Sequence, residues 1–197
     1  MTTAVQLYLA SQSPRRRELL QQIGVRFRVL APHVDEEPLA REIPESYVAR
    51  IARSKAEATW ARVSARRMQP YPVLAADTAV ILGRRIFGKP ATTAAAQEML
   101  QALSGRSHQV LTTIAIAHEN RMKLATSVSK VKFRRLSELE ITRYVASGEP
   151  LDKAGSYAIQ GLAASFIARL EGSYSGVMGL PLFETARLLK FFGIQVL

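Results

Sequence analysis

The chain opens on an apolar run, Val5 to Ala10, that reads as a strand and passes directly into Ser11-Gln12-Ser13-Pro14-Arg15-Arg16-Arg17. Serine as N-cap, proline in the first turn, then Leu19, Leu20 and Ile23 before Gly24 predict a short helix. Val25 to Leu30 alternates apolar and polar residues as a half-exposed strand does. A long helix is predicted from Pro44 to about Arg67, with Val48, Ile51, Ala52, Lys55 and Thr59 at i, i+3, i+4, i+7 and i+11 on its inward face. Val73 to Leu82 is an almost unbroken apolar strand closed by the turn Gly83-Arg84-Arg85, and Thr93 to Leu103 is a helix stopped at Gly105. Gln109 to Ala117 and Lys123 to Phe133 form a hairpin around His118-Glu119-Asn120-Arg121. Ser137 and Glu140 pair as a capping box for a helix ending by Gly148. Asp152 to Gly161 is polar and glycine-flanked, Ser165 to Leu170 reads as a strand, and Pro181 opens a last helix that ends at Gly193. This mixture predicts an α/β protein with a mixed sheet and flanking helices.

Length and composition narrow the picture further. A chain of 197 residues can bury one core, with two lobes around a cleft, so residues 1–197 are expected to form a single unit. With 48% hydrophobic and 22% charged residues, the composition is that of a globular protein. No apolar run approaches the roughly 20 residues that span a bilayer. The N-terminus lacks the basic-then-apolar order of a secretory signal, so a cytoplasmic protein without a membrane partner is expected. The absence of cysteine excludes disulfides and thiolate chemistry. The formal net charge of +11 attracts polyanions, whether nucleic acid, an anionic membrane or a small phosphorylated substrate. Nothing resembles a zinc finger, an aromatic-rich RNA-binding strand or a basic tail, so a dedicated nucleic-acid binder is the weaker reading. The three histidines are scattered, which argues against a His-based metal site.

Four features sit badly with packing alone. A strand turning into a helix through Ser11, Ser13, Arg15 and Arg16 gathers backbone N–H groups, hydroxyls and guanidinium groups where a phosphate could bind. The ordinary alternative is a capped helix with exposed arginines, and spacing alone leaves both open. Lys55 lies on the inward face of the long helix, where it must either snorkel past the core, the commoner fate, or reach an anion in a cleft. Asp77 interrupts Val73 to Leu82, where a carboxylate is expensive to bury without a cation or donors. It is the leading catalytic candidate, and Asp35-Glu36-Glu37 gains interest as a source of a second metal-binding carboxylate. Gly88-Lys89-Pro90, Asp152-Lys153-Ala154-Gly155 and Ile159-Gln160-Gly161 place charged and amide groups in glycine-permitted loops, each of which could equally be a plain turn.

Taken together these segments resemble the Maf family of nucleotide pyrophosphatases. The matching pieces occur in family order over nearly the whole chain: Ala10 to Arg16 with Glu18-Leu19-Leu20, Ala52-Arg53-Ser54-Lys55-Ala56, Ala76-Asp77-Thr78, Gly88-Lys89-Pro90, Leu103 to His108, Tyr144 to Ser147 with Glu149-Pro150, Asp152 to Gly155, Ile159-Gln160-Gly161 and Val177 to Pro181. The resemblance implies an elongated α/β fold with a cleft between two lobes, as in Maf and ITPase-like proteins. It also implies hydrolysis of nucleoside triphosphates to a monophosphate and pyrophosphate with a divalent cation. It assigns the general base to Asp77 and links Arg15, Thr78 and Gln160 to base choice. The branch with Gln at the last position takes dTTP and UTP, whereas sister branches take 7-methyl-GTP or other bases. A Gln amide offers a donor and an acceptor side by side, complementary to the N3–H and O4 of thymine and uracil.

On this reading Mg²⁺ or Mn²⁺ is held by Asp77 with Glu36 or Asp35, while Lys55, Lys89, Arg15 and Arg16 offset charge on the departing pyrophosphate. The sequence leaves open whether Asp77 is base, metal ligand or both. Ser11, Ser13, Asp152 and Lys153 complete the substrate-binding set. A homodimer is compatible with the sequence. A nucleotide-binding regulator of cell division with little turnover is the alternative from another class.

Overall fold

The computed structural model describes residues 5–196, so residues 1–4 and 197 of the expected unit lie outside it. Among the described residues seven strands form one mixed sheet: β1 (Leu7–Leu9), β2 (Phe27–Val29), β3 (Val73–Leu82), β4 (Arg85–Phe87), β5 (Ser107–His118), β6 (Arg121–Phe133) and β7 (Ile167–Glu171). Their order is β2-β1-β3-β5-β6-β7, with β4 beside β3; β1 runs parallel to β2 and β3, and the other pairs are antiparallel. The helices are α1 (Pro14–Gln22), α2 (Pro44–Ala65), α3 (Thr93–Leu103), α4 (Glu138–Ala146), α5 (Tyr174–Met178) and α6 (Leu182–Phe191).

The period of two along β3 distributes its residues between the two faces of the sheet. Val73 and Ala75 pack with Ala52 and Ala56 of α2, and farther along Ala79 and Ile81 pack with Val48 and Ile51 of the same helix. On the opposite face Leu74 and Ala76 join Leu19 and Leu20 of α1 and Leu189 of α6. Val80 belongs to a different cluster there, with Leu100 and Leu103 of α3, Phe133 of β6 and Tyr144 of α4. Asp77 and Thr78 fall at the boundary between these lobes, one on each face.

The edge of β3 is interrupted at the same level. Its pairing with β1 stops at Leu74, and pairing with β4 starts at Val80, so Ala75 to Ala79 have no strand partner on that side. This gap brings side chains from both faces of the sheet to one cleft. Opposite it, across the β3/β5 ladder, Asp77 pairs with Thr113 and Thr78 with Thr112. A polar belt therefore crosses strands that are otherwise apolar.

Several boundaries differ from the sequence expectation. The hairpin between β5 and β6 is tighter, because His118 and Arg121 pair and Glu119 adopts a positive φ of 54° at the tip. Helix α2 ends at Ala65, since Arg67 leaves the helical region with φ 48°. The strand expected at Ser165 to Leu170 starts only at Ile167, because Leu162–Phe166 winds into a 3-10 helix. Helix α5 was not expected. Its five residues include a central glycine and are too few to show a period, and it is nucleated by Ser173, whose hydroxyl accepts from the Gly176 N–H.

Candidate active site

The gap in β3 opens into a cleft of about 770 Å³, within the range of small-molecule sites. Of the residues singled out from the sequence all but Asp35 line it: Ser11, Ser13, Arg15, Arg16, Glu36, Lys55, Asp77, Thr78, Lys89, Asp152, Lys153 and Gln160.

On the α2 side the helical period carries Lys55 to the buried face, and its Nζ lies 2.8 Å from Asp77 Oδ1 and 2.9 Å from Glu36 Oε1. The anion-seeking fate of this lysine is the one realised. Asp77 is only 5% exposed, and burial pushes its carboxyl above the usual range even though Lys55 and Arg16 draw it down. Glu36 adds to the upward push. Of the acidic loop, Glu36 is the residue that reaches this group. Asp35 is spent on the loop itself, accepting from the Glu37 N–H at 2.9 Å. The Tyr47 hydroxyl donates to the Glu36 carbonyl at 3.0 Å, and burial first, then Asp77, pushes its pKa up to about 12.

On the other face α1 begins differently from a capped helix. Ser13 occupies the N-cap position without making a capping bond, and its N–H donates to Ser11 Oγ at 3.2 Å. The first N–H groups of α1 therefore have no side-chain cap, and they open beside the cleft. Arg16, expected beside the leaving group, is largely committed within the protein. Its Nε donates to the Gly179 carbonyl at 2.8 Å, Nη1 to Ser11 Oγ at 3.2 Å and Nη2 to Thr78 Oγ1 at 3.2 Å. It ties α1, β3 and the end of α5 together, which places Thr78 and Ser11.

The far wall comes from the loops after β4 and α4. Lys89 and Gln160 are exposed. Lys153 donates to the Glu149 carbonyl at 2.6 Å and to Asp152, whose other oxygen lies 3.8 Å from Arg15 Nη1 and so links α1 to this wall. Two supporting residues were given no role by the sequence reading. Glu149 accepts from the Tyr144 hydroxyl at 2.8 Å and from the Leu162 N–H at 3.0 Å, and its carboxylate lies against Gly161, next to Gln160. Tyr157, on the cleft wall, pairs its hydroxyl with buried His108 Nε2 at 2.8 Å. The turn residues around Gln160 hinted at a site, but the length of the loop hid which carboxylate held it.

Among the described residues no group of three or more His, Asp and Glu side chains is placed to hold a metal. Mg²⁺ commonly takes one or two carboxylates and completes its sphere with water and substrate phosphate, and Glu36 and Asp77, both bound to Lys55, are the two carboxylates that could serve it. Charge points the same way. Among the described residues Arg15, Arg16, Lys55, Lys89 and Lys153 line the cleft against Glu36, Glu37, Asp77 and Asp152, an excess of one positive charge that a triphosphate outweighs.

A family model described as "Maf-like protein" matches residues 6–192. The protein named dTTP/UTP pyrophosphatase from Nitrosospira multiformis is 55% identical, over 96% of this chain and 96% of its own. Proteins of the same name from Nitrosomonas europaea (52% identical, 96% of both chains) and a Polaromonas species (48%, 100% of both) are similar over comparable lengths. Among solved structures the chain is similar to the Staphylococcus aureus Ham1 protein, with a TM-score of 0.44 and 17% identity over 64% of this chain and 71% of that one.

Proposed function

Since the chain belongs to the Maf family, we infer that it is a dTTP/UTP pyrophosphatase, hydrolysing the nucleoside triphosphate to its monophosphate and pyrophosphate. The observation that carries a catalytic role for the cleft is Asp77: a carboxylate buried in an apolar strand, raised in basicity by that burial and held by Lys55. Such a group is tuned to take a proton.

In the proposed reaction a water oxygen attacks the α-phosphorus, and the bond from that phosphorus to the bridging oxygen breaks. The departing pyrophosphate takes the electron pair, and the water proton passes to an Asp77 carboxylate oxygen. Lys55 keeps Asp77 ionised and oriented until the transfer. Lys89, Arg15 and the uncapped N–H groups of α1 hold the phosphates and offset charge that grows as pyrophosphate leaves. Arg16 acts by fixing Ser11 and Thr78. A divalent cation, Mg²⁺ or Mn²⁺, held by Asp77 and Glu36 together with phosphate oxygens, would supply the neutralisation that the cleft's own small positive excess does not. Gln160 presents an amide to the pairing edge of the base.

Among the described residues no helix is long and apolar enough to cross a membrane. The cytoplasm, where the nucleotide pool resides, is the proposed place of action. The reaction class is tested by turnover of UTP in ¹⁸O-labelled water with mass analysis of both products. Label in UMP, with pyrophosphate unlabelled, is the expected result. Release of UDP and inorganic phosphate would contradict it.

A further inference from the structure

The hydrogen bonds behind Thr78 have only one consistent direction. The Thr112 hydroxyl lies 2.7 Å from the Gly176 carbonyl oxygen, which can only accept, so the single Thr112 proton is spent there. Thr112 also lies 2.9 Å from Thr78 Oγ1, and with its own proton committed it must accept in that pair. The Thr78 proton therefore points to Thr112, away from the substrate. Arg16 Nη2 donates to the same Thr78 oxygen at 3.2 Å, and a guanidinium has no other role to play. The Thr78 oxygen, on the cleft wall, is left with one lone pair and no proton to offer. The reversed arrangement would set Thr112 and Gly176 lone pairs against each other at 2.7 Å.

We propose that Thr112, fully buried, fixes the Thr78 hydroxyl as an acceptor and thereby sets the discrimination of thymine and uracil against cytosine. The inference rests on the dTTP/UTP reading above. Gln160 alone does not secure that choice, because its amide turned over presents the opposite pattern and fits cytosine N3 and the N4 amino group equally well. Thr78 cannot turn over. With the Gln160 amide N–H on O4, the N3–H of thymine or uracil meets the free Thr78 lone pair, whereas cytosine N3 brings a second lone pair to the same oxygen. A buried polar group left facing a lone pair is the kind of mismatch that rejects a substrate strongly. Thr112 is thus a positioning residue for specificity, and its effect passes through Thr78.

Thr112→Val keeps the shape and removes the acceptor, releasing the Thr78 proton to rotate toward a ligand. Thr112→Ser retains both the acceptor and the bond to Gly176. With kcat/KM measured for UTP, dTTP and CTP, the Val variant is expected to keep UTP turnover and gain CTP turnover, cutting the UTP:CTP preference by about tenfold or more, while the Ser variant keeps the wild-type ratio. A gain with CTP is a result that damage to folding does not produce. A Val variant that turns over UTP with an unchanged UTP:CTP ratio, or that loses both substrates equally while Thr112→Ser stays normal, would overturn the proposal. If wild-type enzyme itself turned over neither UTP nor dTTP, the failure would lie with the functional reading.

Discussion

Asp77, costly for folding, is also the residue to which the proposed reaction assigns the proton transfer. Its carboxyl pKa is raised in the folded state, chiefly by burial, so folding favours the protonated form. The stability it contributes is present below the unfolded carboxylate pKa and is lost as pH rises through the folded value. At neutral pH Asp77 is therefore a net electrostatic burden, offset only in part by Lys55. Asp77→Asn removes the charge, and Lys55 retains Glu36 as a partner. The variant is expected to melt at or above the wild-type temperature near neutral pH while kcat falls by about a hundredfold or more, checked by thermal melts and steady-state kinetics on one preparation. With Asp77 as the proposed base, the same shift is expected to set the acid limb of activity. Because the base must be ionised, kcat/KM should fall with decreasing pH through a value above the roughly 3.9 of an ordinary aspartate. An acid limb at or below the ordinary value would remove Asp77 as the base.

The long elements were legible in the sequence because their periods ran long enough to read. Lys55 on the inward stripe of α2 and Asp77 inside β3 could both be singled out from their unsuitability for burial, and the structure brings them together. Short elements carried no such signal. The direction of the β3 edge, where the gap between β1 and β4 lies, depends on pairings between distant segments, and so does Arg16's engagement with Gly179, 163 positions away. The loop carrying Gln160 is the plainest case. Its glycine was visible, but the reason for it is Glu149, whose carboxylate a Cβ at Gly161 would meet at 2.4 to 2.5 Å. That carboxylate is held by the Tyr144 hydroxyl and the Leu162 N–H, so it cannot step aside without breaking bonds. Gly161→Ala is expected to loosen the loop and raise KM for UTP about fivefold, the worth of roughly one net hydrogen bond, with kcat little changed. An unaltered KM would show that the position of this loop does not govern base binding.

At the scale of the whole molecule, charge and architecture serve different ends. The +11 net charge was visible in composition but did not say which polyanion it serves. The cleft itself holds only a one-charge excess, so on the proposed reading the wider positive field draws a triphosphate inward while the local groups orient it. KM for UTP is accordingly expected to rise several-fold with added salt, whereas kcat, set by groups inside the cleft, should change much less. The two-lobed architecture follows from the division of the core beside α1 and α6 from that beside α3 and α4, with the polar belt between them. The most direct test of this account is pyrophosphate release from dTTP, UTP, CTP, GTP and 7-methyl-GTP with Mg²⁺ or Mn²⁺, run in parallel with Asp77→Asn. Turnover selective for dTTP and UTP that collapses in the folded variant is the predicted result. Equal turnover of all five nucleotides, or full activity in Asp77→Asn, would contradict it.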